Sequence, residues 1–207
     1  FDVDVVRAKV TSETAKGEML EDDIGYIQIS EFADVTVDQF TEAYAVLKGK
    51  GAKALILDLR GNPGGLLSAA VDISRQILPE GLIVYTEDKQ GKREEYTCDG
   101  TRKIEIPMVV LVNGGSASAA EIVTGGIKDH GVGTVRGTTT YGKGIVQKIY
   151  SLSDGSAIKL TVSAYYTPNG TNIHETGIEP DVEVLFDAEA YYAEESVDNQ
   201  LEAAKEY

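Results

Sequence analysis

The chain has 207 residues, 42 % of them apolar and 26 % charged, which is enough to bury a sizeable core without staples. Its 34 acidic residues against 19 basic ones give a net charge of -15, which argues against nucleic acid and anionic membranes as partners, because both require clustered Lys and Arg. The single cysteine, Cys98, and the two histidines, His130 and His174, exclude an internal disulfide, a multi-cysteine zinc site and the H-E-x-x-H hydrolases.

Residues 1–10 alternate apolar and polar side chains and predict a half-exposed strand. No basic segment followed by an apolar one precedes it, so this start is not a signal peptide; it resembles a strand entered partway, in a piece cut from a longer chain. Residues 11–23 are polar, contain Gly17 and predict a loop. A short strand follows at 25–30, then a helix from Thr36 to Lys48, with Thr36 as its N-cap and Gly49 and Gly51 as its stop. Residues 52–59 form a nearly unbroken apolar run, the pattern of a strand buried on both faces. Asn62-Pro63-Gly64-Gly65 ends it, and a helix from Leu66 to Leu78 has Ala69, Ala70, Ile73 and Ile77 on its inner side. A hairpin joins 82–87 to 93–98.

Met108 to Val112 is a second buried strand, ended by Asn113-Gly114-Gly115 and followed by a helix from Ser116 to His130. Strands are expected at 133–136, 145–150 and 157–165, and an acidic helix over 187–207, packed on the body or trailing from it. Two strand–glycine–helix units in succession predict an α/β fold, with a mixed sheet built from right-handed βαβ units and flanking helices. No linker or repeat interrupts it, so residues 1–207 are expected to form a single domain.

Active sites of α/β sheets gather where strand ends meet helix N-termini. Two such places stand out, Arg60 to Gly65 and Asn113 to Ala119. Each offers backbone N–H groups able to hold an anion or an oxyanion. Neither fits a phosphate loop. Ser116 fits an N-cap as well as a chemical role, and Ser118, two residues on, is the better nucleophile candidate. A serine nucleophile needs a base. His130 lies about 18 Å along a continuous helix, too far for a hydrogen bond. His174 falls in a polar loop segment. Lys143, between Gly142 and Gly144, remains; it is either a solvated surface lysine or, if buried by its glycine neighbours, a base of lowered pKa.

Three blocks now carry a resemblance: Asp58-Leu59-Arg60-Gly61-Asn62-Pro63-Gly64-Gly65, Gly115-Ser116-Ala117-Ser118-Ala119-Ala120-Glu121-Ile122 and Tyr141-Gly142-Lys143-Gly144-Ile145-Val146-Gln147. In order and spacing they resemble the signature blocks of the carboxy-terminal processing peptidases, serine peptidases of the tail-specific, tricorn-core type. Further matches are Ile24-Gly25-Tyr26-Ile27, Thr167-Pro168-Asn169-Gly170, Gly177-Ile178-Glu179-Pro180-Asp181 and Asp198-Asn199-Gln200-Leu201. Ala120 replaces a serine of the family's second block, and Thr138 replaces its usual Glu.

The resemblance implies a crotonase/ClpP-like protease core. It implies Ser118 as nucleophile, Lys143 as general base, Gln147 as the residue orienting Lys143, and the N–H groups of Gly65 and Ala119 as the oxyanion hole. Asp129 matches an acidic family position, for which a structural role is expected. No metal or cofactor is implied. The implied substrates are unfolded or flexible polypeptides cut near an apolar C-terminus. The implied setting is extracytoplasmic, in a bacterial envelope or secreted, with a PDZ domain preceding the core in the parent and homo-oligomers among relatives. The competing readings are a non-catalytic peptide-binding module and a crotonase-like acyl-CoA enzyme. The latter lacks here the basic patch that CoA phosphates require.

Overall fold

The structure, a computed structural model, describes residues 3–4, 6–8, 12–193 and 196–206. In chain order it holds β1 (Ala15–Met19), β2 (Ile24–Ile29), α1 (Thr36–Gly49), β3 (Ala54–Asp58), α2 (Leu67–Ile77), β4 (Glu80–Asp88), β5 (Arg93–Asp99) and β6 (Met108–Val112). There follow α3 (Ala119–His130), β7 (Thr134–Gly137), β8 (Ile145–Ser151), β9 (Ala157–Tyr166), β10 (Val182–Glu183), α4 (Ala188–Tyr191) and α5 (Asn199–Lys205).

A six-stranded sheet has the order β1-β2-β3-β6-β7-β10. It is parallel from β2 onward, and β1 is antiparallel to β2, so the mixed sheet and the βαβ units match the expectation. The two central strands are apolar on both sides because both sides are covered. Leu55 and Leu57 of β3 and Met108, Val110 and Val112 of β6 belong to the core formed with the helices. Ile56, Val109 and Leu111, which point the other way, pack with Ala204 and Leu201 of α5. Fully burying each such side chain contributes about 1.5–3 kcal/mol. The C-terminal segment is therefore packed on the body.

The hairpin strands form a second sheet, β5-β4-β9-β8, antiparallel throughout. Tyr165 of β9 joins it to the core, and burial pushes that phenol up to about 12.

Four expectations need correction. Residues 11–23 are not all loop: β1 lies among them, with Thr14 and Ala15 buried, while Lys16 and Glu18 face water and give the segment its polar look. A Cβ on Gly17 would stand 2.9 Å from the Ala43 Cβ, so the glycine there serves close packing of strand on helix. Thr36 is the first helical residue; its Oγ1 accepts from Ala33 N at 2.8 Å and closes the turn before the helix. The C-terminal segment is two short helices, each started by an aspartate cap: Asp187 accepts from Ala190 N, and Asp198 from Gln200 N and Leu201 N. The N-terminal strand expected over 1–10 falls partly on residues 1, 2, 5, 9 and 10, outside the described ones, and residues 3–4 and 6–8 are in no strand.

Candidate active site

The turn after β3 is built around Asn62, which is fully buried. Its Nδ2 donates to Ile29 O at 2.8 Å, and its Oδ1 accepts from Gly64 N at 2.8 Å. Gly64 O and Leu66 N bond the two sides of Phe32, so Gly65 is held between them with φ +140°. A Cβ on Gly65 would lie 2.1 Å from Phe32 O, so no other residue fits there.

The segment before α3 docks on this turn. Ser116 Oγ donates to Leu59 O at 2.7 Å and accepts from Asn113 N at 3.0 Å, and Ala117 N donates to Asn62 O at 2.9 Å. Ser116 is thus a buried tie between the two loops and not the N-cap. The contact is close enough that a Cβ on Gly64 would stand 2.8 Å from Ser118 Cβ and 3.0 Å from Ala119 N. Ser118 occupies the cap position itself, half-buried, at φ 54° and ψ -111°. This is strained for a residue with a Cβ, and such strain gathers at functional corners. Among the described residues, neither Gly65 N–H nor Ala119 N–H has an acceptor.

Glu121, fully buried, joins this corner to the Lys143 loop. Its Oε2 accepts from Ser118 N at 2.7 Å and from Lys143 N at 2.9 Å. Its Oε1 accepts from Thr140 Oγ1 at 2.6 Å and Gly142 N at 2.7 Å. Four donors to one carboxylate make charge-assisted bonds that suit a buried anion. Tyr141 N donates to Ser116 O at 2.9 Å and ties the loop at a further point. Gly142 and Gly144 lie against the backbone of residues 173–177, where Cβ atoms would come within 2.9 Å of Gly177 N and 2.5 Å of His174 N.

Ser118 and Lys143 are therefore brought together through their backbones, with Gly64, the neighbour of Gly65, packed against Ser118 and Ala119. Of the two alternatives for Lys143, the structure has the solvated one: both neighbouring glycines are buried, yet the side chain is exposed. Gln147 lies on β8, exposed, and its Nε2 donates to Thr161 Oγ1 at 3.4 Å; no bond joins it to Lys143 among the described residues. His130 is bonded to Leu82 O at 2.7 Å and His174 is exposed, so neither serves Ser118. Asp129 has a structural role, accepting Asn169 N at 2.8 Å. Cys98 is buried against backbone atoms of residues 75 and 78.

The profile of "Peptidase family S41" matches residues 23–184. The chain belongs to this peptidase family. Among its relatives is the "Carboxyl-terminal-processing protease" of Synechocystis sp., 46 % identical over 76 % of this chain and 37 % of that protein. Another is "Carboxy-terminal processing protease CtpA" of Bacillus subtilis, 42 % identical over 88 % of this chain and 39 % of that one. The solved "Photosystem II D1 C-terminal processing protease" superposes with a TM-score of 0.78 at 35 % identity, covering 86 % of this chain and 50 % of its own. The S41 chain described here thus spans about two fifths of the length of these curated relatives.

In this S41 chain Glu121 carries a signal of its own in the sequence. Ser118-Ala119-Ala120-Glu121 has the S-x-x-E spacing of a capping box, which would have placed the Glu121 carboxylate at the Ser118 amide. Asn62 sits in a glycine turn, where turn propensity conceals a buried structural amide. Thr140 carried no such signal.

Proposed function

We propose that this chain is the catalytic core of a serine peptidase that cleaves polypeptides through a Ser118–Lys143 dyad. The observation that carries the reading is the shared Glu121 carboxylate, which holds the Ser118 and Lys143 amides on one oxygen beside the unengaged N–H groups of Gly65 and Ala119. Ser118 Oγ attacks the scissile carbonyl carbon while the neutral Lys143 amine takes its proton. The oxyanion accepts from the Gly65 and Ala119 N–H groups, which have no other acceptor among the described residues and flank the positive-φ Ser118 corner. Collapse breaks the C–N bond, and the Lys143 ammonium returns the proton to the leaving amine. Water, deprotonated by Lys143, then hydrolyses the acyl-enzyme.

The base must be neutral, and Lys143 is exposed. A peptide laid across the site would strip water from the amine, and desolvation favours the uncharged form. Gln147 takes up its orienting role once its amide turns from Thr161 toward Lys143, four residues earlier on the same chain. The names of the relatives support processing at C-termini, and the family resemblance supports unfolded or flexible substrates and an extracytoplasmic setting.

A fluorophosphonate probe tests the reading. Covalent labelling mapped by mass spectrometry to Ser118, and lost in Lys143→Ala, is expected. A folded chain that the probe leaves unlabelled would favour the peptide-binding module instead.

A further inference from the structure

A cleft of about 410 Å³ borders the carboxyl ends of β2, β3, β6 and β7, where Gln28, Asp58, Asn113 and Thr138 line it. It shares a wall with the active-site turns. Gly61 and Asn113 both line it, and Gly61 N donates to Asn113 Oδ1 at 2.9 Å. Ser118 follows Asn113 by five residues, so their Cα atoms stand no more than about 18 Å apart. A short extended peptide at Ser118 has the length to reach the cleft.

The segment after β10 adds three aromatic rings to the lining, Phe186, Tyr191 and Tyr192. They do not serve the core: Phe186 is 45 % and Tyr192 80 % exposed. They are set at steep angles to one another. Tyr191 is inclined at 57° to Phe186 and 87° to Tyr192, with ring centroids 5.1 Å apart in each pair. Angled rings around one space offer their faces to a cation.

Charge selects the same occupant. Arg60 also lines the cleft and would be the anchor for an anion, but a guanidinium has five N–H groups and all are engaged. Nε donates to Asp58 at 3.0 Å. Nη1 donates to Asp198 at 2.9 Å and Gln200 at 3.1 Å. Nη2 donates to Asp58 at 2.6 Å and Asp198 at 2.8 Å. The two carboxylates outnumber the one cation. Oδ2 of Asp198 accepts from Arg60 alone among the described residues, which leaves it a lone pair. Residues 181–192 bring Asp181, Glu183, Asp187 and Glu189 and no Lys or Arg. Of these, Asp181 pairs with Lys128 at 3.0 Å, and the others have no ion-pair partner among the described residues. An anion would meet negative potential and no free charged donor. A cation meets ring faces and a carboxylate.

We propose that this cleft takes a cationic side chain, arginine or lysine, of a polypeptide that extends from the active site. The cation lies among Phe186, Tyr191 and Tyr192, with Asp198 as its counter-charge. That the polypeptide is a substrate rests on the peptidase reading; the binding itself does not require Ser118.

The test compares two fluorescent six-residue peptides, Ala-Ala-Arg-Ala-Ala-Ala and the same peptide with citrulline, which has nearly the shape of arginine without its charge. Affinity is read by anisotropy on the Ser118→Ala background, with the double variant Tyr191→Leu, Tyr192→Leu beside it. That variant keeps apolar bulk and net charge and removes two rings. A preference for arginine of about tenfold is expected, falling to near unity in the double variant. Phe186→Leu, an independent variant, should lower the preference about threefold, the scale of one exposed cation–π contact. Equal affinity for the two peptides would overturn the proposal. So would a preference that survives the loss of the rings, because the overall charge of -15 would then account for it. If the chain with Ser118 intact cleaves neither peptide while the preference holds and falls with the rings, the peptidase reading fails and the cation site stands.

Discussion

The backbone amides of Ser118 and Lys143 donate to the same atom, Oε2 of Glu121, at 2.7 and 2.9 Å. Their separation is set by main-chain amides held on one buried carboxylate, and not by a contact between the Ser118 and Lys143 side chains. A dyad built this way keeps its spacing even while the Lys143 amine is solvated. It also makes one buried carboxylate responsible for both partners.

Glu121→Gln tests that responsibility. The amide keeps the size but turns an NH2 toward backbone or hydroxyl donors at one of the two oxygen positions. Leaving those donors unmatched costs about 1–3 kcal/mol. The expected result is a folded protein of lowered melting temperature with kcat down by more than about tenfold and a smaller change in KM. Wild-type kcat in this variant would remove Glu121 from the account.

Gly65→Ala and Gly61→Ala form a matched pair. Both glycines have positive φ, +140° and +68°. A Cβ at Gly65 meets Phe32 O at 2.1 Å, whereas one at Gly61 meets nothing within 4 Å. Gly61→Ala should lose about 1–2 kcal/mol of stability, the left-handed backbone cost, and keep activity. Gly65→Ala should lose more and abolish hydrolysis, because the turn that aims its N–H must shift. Urea unfolding and casein assays on both variants check the contrast.

Arg60 fastens the C-terminal helix. It donates to both oxygens of Asp198, at 2.9 and 2.8 Å, and to buried Asp58 at 2.6 Å. Burial alone would raise the Asp198 carboxyl, but the Arg60 guanidinium and the amides of Leu201 and Gln200 outweigh it and hold it below the usual carboxylate range. A depressed folded value means that the stabilisation is complete above the unfolded value, about 3.9, and is lost as pH falls through the lower folded one. Asp198→Asn should therefore be less stable than the parent at neutral pH, with the gap closing only below about pH 3.9. Urea midpoints from about pH 3 to 7 would show it, and a gap that closes nearer neutrality would contradict it.

Much of this fold was legible because burial on both faces leaves a plain mark. Met108–Val112 is apolar at every position and is a strand over those same residues. β1 was hidden because only one side of it is covered and its exposed residues are charged. The hairpins were visible, but nothing local states that they join each other in a separate sheet; that pairing spans the chain from Tyr85 to Tyr166. In the site, the glycines and Ser118 showed through their spacing. The sequence leaves the Lys143 environment open because flanking glycines bury the backbone there and say nothing of the side chain. Glu121 shows only its bond to Ser118 in the local spacing, because its other three donors lie 19 to 22 residues away in the chain.

The most direct test of the dyad is casein hydrolysis by the chain, by Ser118→Ala and by Lys143→Ala, followed from about pH 6 to 10. Cleavage by the parent that rises with pH as a single base loses its proton, and is absent from both variants while their folds remain intact, is the expected result. Cleavage by either variant at a rate comparable to the parent would contradict it.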